Sequence, residues 1–261
     1  MPTTLITGST DGIGLATARV LVQAGHDVIV HGRNQARVDA AVTAVGARGG
    51  VCFDLGSLAE VRAGAADVLA RFGAIQILIN NAATFSHERR ETVDGHELTF
   101  AVNHLAPFLL TELLMSSLIA SAPARVINVS SVAHHHSKMD ITDLQLTRGY
   151  SGHAAYSMSK LCNILHSNAL AARYPAATLT ANSLHPGVIN TKLLRIGFGI
   201  PGAEVDVGTR TSVRLATDPS LAEVTGRYFS DEREARPIVA AGNRALQQEL
   251  WDASARLTGV A

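Results

Sequence analysis

Three residues in this sequence have the types and spacing for proton chemistry: Ser131, Tyr156 and Lys160. Tyr156 and Lys160 stand four apart in YSMSK, at the head of the apolar helical pattern LCNILHSNALAARY. At that spacing two side chains share one helix face, so a lysine ammonium can lower the pKa of the phenol and let it exchange a proton near neutral pH. Such a pair suits reduction of a carbonyl. In isolation Y-x-x-x-K is more often a pair on a helix surface, so its meaning depends on its company. Ser131 ends the apolar run RVINVSS, 25 positions before Tyr156 (156 minus 131).

Three adjacent histidines, His134, His135 and His136, follow that serine and raise the alternatives of a metal site or a hydrolase. Neighbouring side chains do not converge easily, and no H-E-x-x-H or paired cysteine pattern accompanies them, which argues against a metal. Ser131 lacks the G-x-S-x-G elbow, which argues against a hydrolase. The histidines are expected either to line the loop beside a substrate pocket or to face solvent. His153, three residues before Tyr156, is a further pocket candidate.

A second chemistry-bearing stretch, TGSTDGIG, puts Gly8, Gly12 and Gly14 between the first apolar run and the first helical pattern. Glycines let a backbone turn sharply and approach a pyrophosphate, and the helix start beyond them offers free N–H groups and a positive dipole end. An ordinary tight turn would use the same residues, but the position between strand and helix favours a dinucleotide. An NAD-preferring fold commonly places an acid about 20 residues on, at the end of the second strand. This chain has VHGRN there, with Asp27 at the wrong end of the strand and Arg33 after its carboxyl end. Arg33 is either a solvated loop arginine or the partner of a 2′-phosphate, with Arg37 nearby; lacking the acid, NADP(H) is the predicted cofactor.

The elements that must position these groups are legible as short apolar runs separated by helical patterns: TTLIT, DVIVH, GVCF, IQILIN, RVINVS and LTANSLH. Their alternation predicts βαβ units and a parallel sheet covered on both faces, an α/β doubly wound fold. Ser57 and Glu60 have capping-box spacing and set a helix start, with Val61, Val68 and Leu69 as its apolar face. A length of 261 residues, 47% of them hydrophobic, suits one domain spanning the chain. Twenty-two basic residues balance twenty-two acidic ones, so no global field draws nucleic acid or an anionic surface. A small molecule is the expected partner. Cys52 and Cys162 read as small core residues in a reducing, cytoplasmic setting. The start MPTTLIT shows no targeting or membrane-anchoring segment. The segment GFGIPGAEVDVG, with four glycines and a proline, reads as a substrate loop within about 190–210.

In their order, TGSTDGIG, FDL, NNAA, VNHL, VSS, YSMSK and HPGVINT resemble the short-chain dehydrogenase/reductase family over nearly the whole chain. The resemblance implies a Rossmann-type sheet and assigns roles. Ser131 would bond the substrate carbonyl, Tyr156 would act as general acid, and Lys160 would orient the nicotinamide ribose and tune Tyr156. Asn103 matches the family's fourth catalytic residue. Independently, Pro107 four residues later has no N–H to give the Asn103 carbonyl, so a helix kink is expected there, and the resemblance implies a water held by that carbonyl on a proton path to Lys160. The cofactor would lie along Gly8, Ser9, Thr10, Gly12, Ile13 and Gly14, then Asp54, Leu55, Asn81 and Ala82, and finally Pro186, Gly187, Val188 and Thr191. The family often has glycine where Ala83 stands.

The 25-residue interval, VNHLAPFLLTELL and the terminal TGRYFSDE and LWDASARLTG look like the retinol dehydrogenase-like branch. That branch implies a lipophilic aldehyde, ketone or alcohol as substrate and NADP(H) as cofactor; the family commonly pairs through the Tyr156 helix and the long helix before it, which is consistent with a homodimer or homotetramer. A non-catalytic NADP-binding sensor is the competing expectation, and loss of Tyr156 or Lys160 would have favoured it.

Overall fold

The computed structural model describes residues 1–260. Its elements run β1 (Thr3–Ile6), α1 (Gly12–Gln23), β2 (Asp27–Gly32), α2 (Gln35–Val45), β3 (Gly49–Cys52), α3 (Leu58–Phe72) and β4 (Ile77–Asn80). Then come α4 (Leu98–Phe100), a π turn (Ala101–Leu105), α5 (Ala106–Ala120), β5 (Ala124–Val129), α6 (Gly152–Arg173), β6 (Leu179–His185) and α7 (Lys192–Gly197). The chain ends with α8 (Arg210–Thr217), β7 (Tyr228–Ser230), β8 (Arg233–Ala235) and α9 (Arg244–Thr258). The sheet order is β3-β2-β1-β4-β5-β6-β7-β8, parallel except for the last pair. All six expected strands are present, within two residues of the apolar runs that announced them.

Alternate sheet residues feed two apolar layers. Leu5 and Leu78 pack with Val61, Val68 and Leu109 from α3 and α5 on one face. Ile6 and Ile79 pack with Leu21, Ala41 and Leu215 from α1, α2 and α8 on the other. A third cluster joins α6 to α9 through Leu161, Leu165 and Leu250. Because both faces are covered, the strands are apolar throughout rather than alternating.

Several details differ from the sequence expectations. Ser57 caps α3 as expected, accepting from Glu60 N–H at 3.3 Å, but the Glu60 carboxylate accepts from Asp54 N–H at 2.8 Å instead of closing the box. Cys52 is exposed, on the edge strand β3, whereas Cys162 is buried. The 190–210 segment contains α7, held by a bridge between Ile189 and Ala203. Strands β7 and β8 were not anticipated, because three residues each carry too little pattern. The stretch Leu98–Ala120 is apolar and long enough to cross a membrane, yet 78% of its most apolar window is buried within the fold.

Candidate active site

The sheet order reverses between β1 and β4, and ligands of such sheets bind in the crevice beyond the carboxyl ends of the strands at that point. A cleft of about 1040 Å³ lies there. Its walls include Gly8, Thr10, Gly12, Ile13 and Gly14 over the β1–α1 loop. Arg33, Asp54 and Leu55 come from beyond β2 and β3, and Asn81 and Ala82 from beyond β4. Ser131, Tyr156 and Lys160 line it from β5 and α6, and Pro186, Gly187, Val188 and Thr191 from beyond β6.

The glycine loop is held from beneath by polar groups. Asn81 Nδ2 donates to the carbonyls of Thr7 (2.8 Å) and Gly8 (3.1 Å). Gly8 N–H donates to His31 Nδ1 at 3.0 Å, which leaves the ring proton on Nε2 to reach the Phe53 carbonyl at 3.1 Å. His31 thereby ties the loop to the ends of β2 and β3, and burial pulls its pKa down to about 4. Sequence reading passed over it as a strand residue. Gly14 is required by space: a Cβ would stand 2.4 Å from the Gly8 carbonyl and 2.5 Å from Asn81 Nδ2. Gly14→Ala is therefore expected to displace the loop, lowering stability by about 1–3 kcal/mol and abolishing dinucleotide binding, read by thermal unfolding and by titration of nucleotide fluorescence. Gly8, at φ +63°, occupies left-handed backbone, and Ala82 Cα would crowd any Cβ there at 2.8 Å.

This loop fits a dinucleotide. The first-turn N–H groups of Ile13 and Gly14 have no acceptor among the described residues, and the α1 dipole adds positive potential beside them. Arg33 forms no ion pair among the described residues, whereas Arg37 is drawn to Asp11 at 3.2 Å.

At the other end of the cleft the buried Tyr156 shares the wall with Ser131. Burial pushes the phenol up to about 12, with the Ser131 contact pulling the other way. Lys160 shares the face of the phenol as the helix spacing suggested, its Nζ lying over the Tyr156 ring 5.5 Å from the centroid, but it forms no hydrogen bond with the hydroxyl. Its Nζ donates to the Val129 carbonyl at 2.9 Å, and burial brings its pKa down to about 7. Val129, the acceptor, is the last residue of β5.

Three expected site residues stand outside the cleft walls. Ser9 is fully buried behind the loop, where its Oγ donates to the Ile6 carbonyl (2.7 Å) and accepts from His31 N–H (3.0 Å). His153 is exposed, packed edge-on against Phe85 and Phe198 at 5.3 and 5.2 Å between ring centroids. Asn103 is wholly buried as a clip: Oδ1 accepts from Thr84 N–H (2.7 Å), and Nδ2 donates to the Thr84 carbonyl and Ser159 Oγ, both at 3.0 Å. Around it the backbone takes a π turn, with Ala106 N–H donating five residues back to Ala101 O, because Pro107 has no N–H to offer.

The histidine triplet divides. His134 is buried: Nε2 accepts from Ile238 N–H (3.2 Å), so the Nδ1 proton goes to the Ser131 carbonyl at 2.6 Å and braces the Ser131 turn. His135 faces solvent, and His136 lines the cleft. No group of three or more potential ligands for a metal ion occurs among the described residues.

Residues 2–196 match the family model for short chain dehydrogenases. The chain belongs to the short-chain dehydrogenase/reductase family. Human retinol dehydrogenase 14 is 35% identical over 99% of this chain and 86% of its own length, which places the chain in the retinol dehydrogenase-like branch. An uncharacterised protein from Mycobacterium paratuberculosis has a similar structure, with a TM-score of 0.83 at 29% identity over 99% of this chain and 94% of that one. A blue fluorescent protein from a metagenomic library, solved with NADPH, gives a TM-score of 0.69 at 25% identity over 88% and 95%. Membership makes this protein an oxidoreductase acting on alcohol or carbonyl groups.

Proposed function

We propose that the protein reduces a lipophilic aldehyde or ketone with NADPH, and runs the reverse oxidation with the same residues. The observation that carries this is the shared cleft: Ser131, Tyr156 and Lys160 at one end, the glycine loop in the middle, and Arg33 at the other. The nicotinamide, when bound, supplies the hydride. Ser131 polarises the carbonyl oxygen and Tyr156 delivers its proton to that oxygen. Lys160 would hold the nicotinamide ribose when the cofactor is bound, and Pro186, Gly187, Val188 and Thr191 would hold the carboxamide end. Asn103 acts through the π turn and its Ser159 contact, holding the start of the Tyr156 helix rather than touching substrate. Ser159 Oγ in turn donates to the Tyr156 carbonyl at 2.8 Å.

Val132, Val188 and Ile200 line the cleft while remaining 46%, 42% and 48% exposed, an apolar mouth that favours a lipophilic substrate. The retinol dehydrogenase name of the human relative supports the same class. The two unpaired cysteines accord with a cytoplasmic setting.

The test is oxidation of NADPH and NADH across aldehydes and ketones of increasing apolar size, with Arg33→Ala alongside. Wild type is expected to prefer NADPH, and Arg33→Ala to raise the KM for NADPH by about tenfold or more while leaving NADH unchanged, as loss of a charge-assisted phosphate contact requires. Equal effects on both cofactors would remove Arg33 from the phosphate site.

A further inference from the structure

We propose that Asn163 is a positioning residue for Lys160, easing the movement of its ammonium from the protein to the nicotinamide ribose. This rests on the assignment of Lys160 above. Asn163 lies three residues beyond Lys160 in α6. Its Nδ2 donates at 3.2 Å to the Val129 carbonyl, the same oxygen that receives Lys160 Nζ at 2.9 Å. Lys160, Asn163 and Val129 are all buried.

A carbonyl oxygen has two lone pairs, and here a cation occupies one and an amide the other. Were Lys160 the sole partner, its departure would leave a buried acceptor unpaired, and the swing would be disfavoured accordingly. Asn163 supplies a partner that stays behind. It also competes for the oxygen's electron density, so the ammonium is held less tightly before it moves.

The rest of the side chain supports this role. Asn163 Oδ1 is buried and has no hydrogen-bond partner, so the amide's contribution lies in its donor end. A polar chain holds the α6 backbone at Asn163 through its main-chain carbonyl. Ser167 Oγ donates to the Asn163 carbonyl at 3.1 Å, Asn128 Nδ2 donates to Ser167 Oγ at 2.9 Å, and Asn80 Nδ2 donates to Asn128 Oδ1 at 2.9 Å. The chain links α6 to β5 and β4 and sets the spacing between Asn163 and Val129.

The experiment is a double-mutant cycle read by NADPH binding, titrated through nucleotide fluorescence, on wild type, Asn163→Ala, Lys160→Met and the double variant. Asn163→Ala is expected to raise the NADPH Kd about tenfold when Lys160 is present. In the Lys160→Met background the same change should alter Kd by less than about twofold, because no ammonium has to leave the carbonyl. Asn163→Asp keeps the shape, replaces the donor with oxygen and holds the ammonium in place, so it should follow the same pattern if Asn163→Ala folds poorly. Equal losses in both backgrounds, or no loss with Lys160 present, would overturn the role of Asn163 alone. If Lys160→Met itself left NADPH binding unchanged, the assignment of Lys160 would fail first and Asn163 with it.

Discussion

Tyr156→Phe is expected to lower kcat for carbonyl reduction about a thousandfold while changing NADPH affinity little. The hydroxyl is a proton donor that shares the cleft wall with Ser131, and positioned acid catalysis contributes about 10²–10⁴-fold. The phenol, held up near 12 by burial, keeps its proton throughout the neutral range. That is the form reduction needs, so the reductive rate should be flat between about pH 6 and 8. Alcohol oxidation needs the phenolate and should rise with pH. Steady-state kinetics in both directions, with binding measured separately, check this. A Tyr156→Phe enzyme that retained more than about a tenth of wild-type kcat would remove Tyr156 from the proton transfer.

Acid is expected to destabilise the protein well above the carboxylate range. His31 and His134 are brought down to about 4 and His166 to about 3, desolvation by burial being the largest cause in each. In each a ring nitrogen already engages a donor: Gly8 N–H for His31, Ile238 N–H for His134 and Asn128 Nδ2 for His166. The folded state therefore keeps these rings neutral while the unfolded chain takes up protons from about pH 6.5 downward. The unfolded state binds more protons across that window, so stability falls as pH falls from 6.5 toward 4. Each histidine contributes a slope approaching about 1.4 kcal/mol per pH unit, and three together about 4, against a total stability of about 5–15 kcal/mol. Urea unfolding at pH 7.5, 6 and 5 reads this directly; a flat stability from 6.5 to 5 would contradict it. Replacing His134 with Gln, which can also bridge a carbonyl and an N–H, should shallow the slope by up to about 1.4 kcal/mol per pH unit.

Much of the site was legible because chemistry imposes it on sequence. Gly8 and Gly14 must be glycine for reasons of space, and Tyr156 and Lys160 must share a turn of α6, so both patterns survive in one dimension. The six strands announced themselves because burial on both faces demands continuous apolar runs. What escaped were contacts made by residues distant in sequence. His31 looks like one more strand residue until Gly8 and Phe53 close on its two nitrogens. His134 looks identical to its neighbours until Ile238, 104 residues away, reaches it. Lys160 shows the limit of helix geometry: sharing a face with Tyr156 did not determine its partner, because Val129 lies on another element. Pro107 did forecast a break in the helix, but its form, a π turn around Asn103, depended on which N–H groups remained.

Under the proposed function this cleft moves a hydride from NADPH to a carbonyl carbon with Tyr156 as the acid. It is tested most directly by incubating the protein with NADPH deuterated at nicotinamide C4 and a lipophilic aldehyde, then weighing the alcohol by mass spectrometry. One deuterium on the carbinol carbon with wild type, and none above background with Tyr156→Phe, is the predicted result. NADPH that binds but transfers no label to any aldehyde or ketone offered would contradict it and mark the protein as a binder of the nucleotide instead.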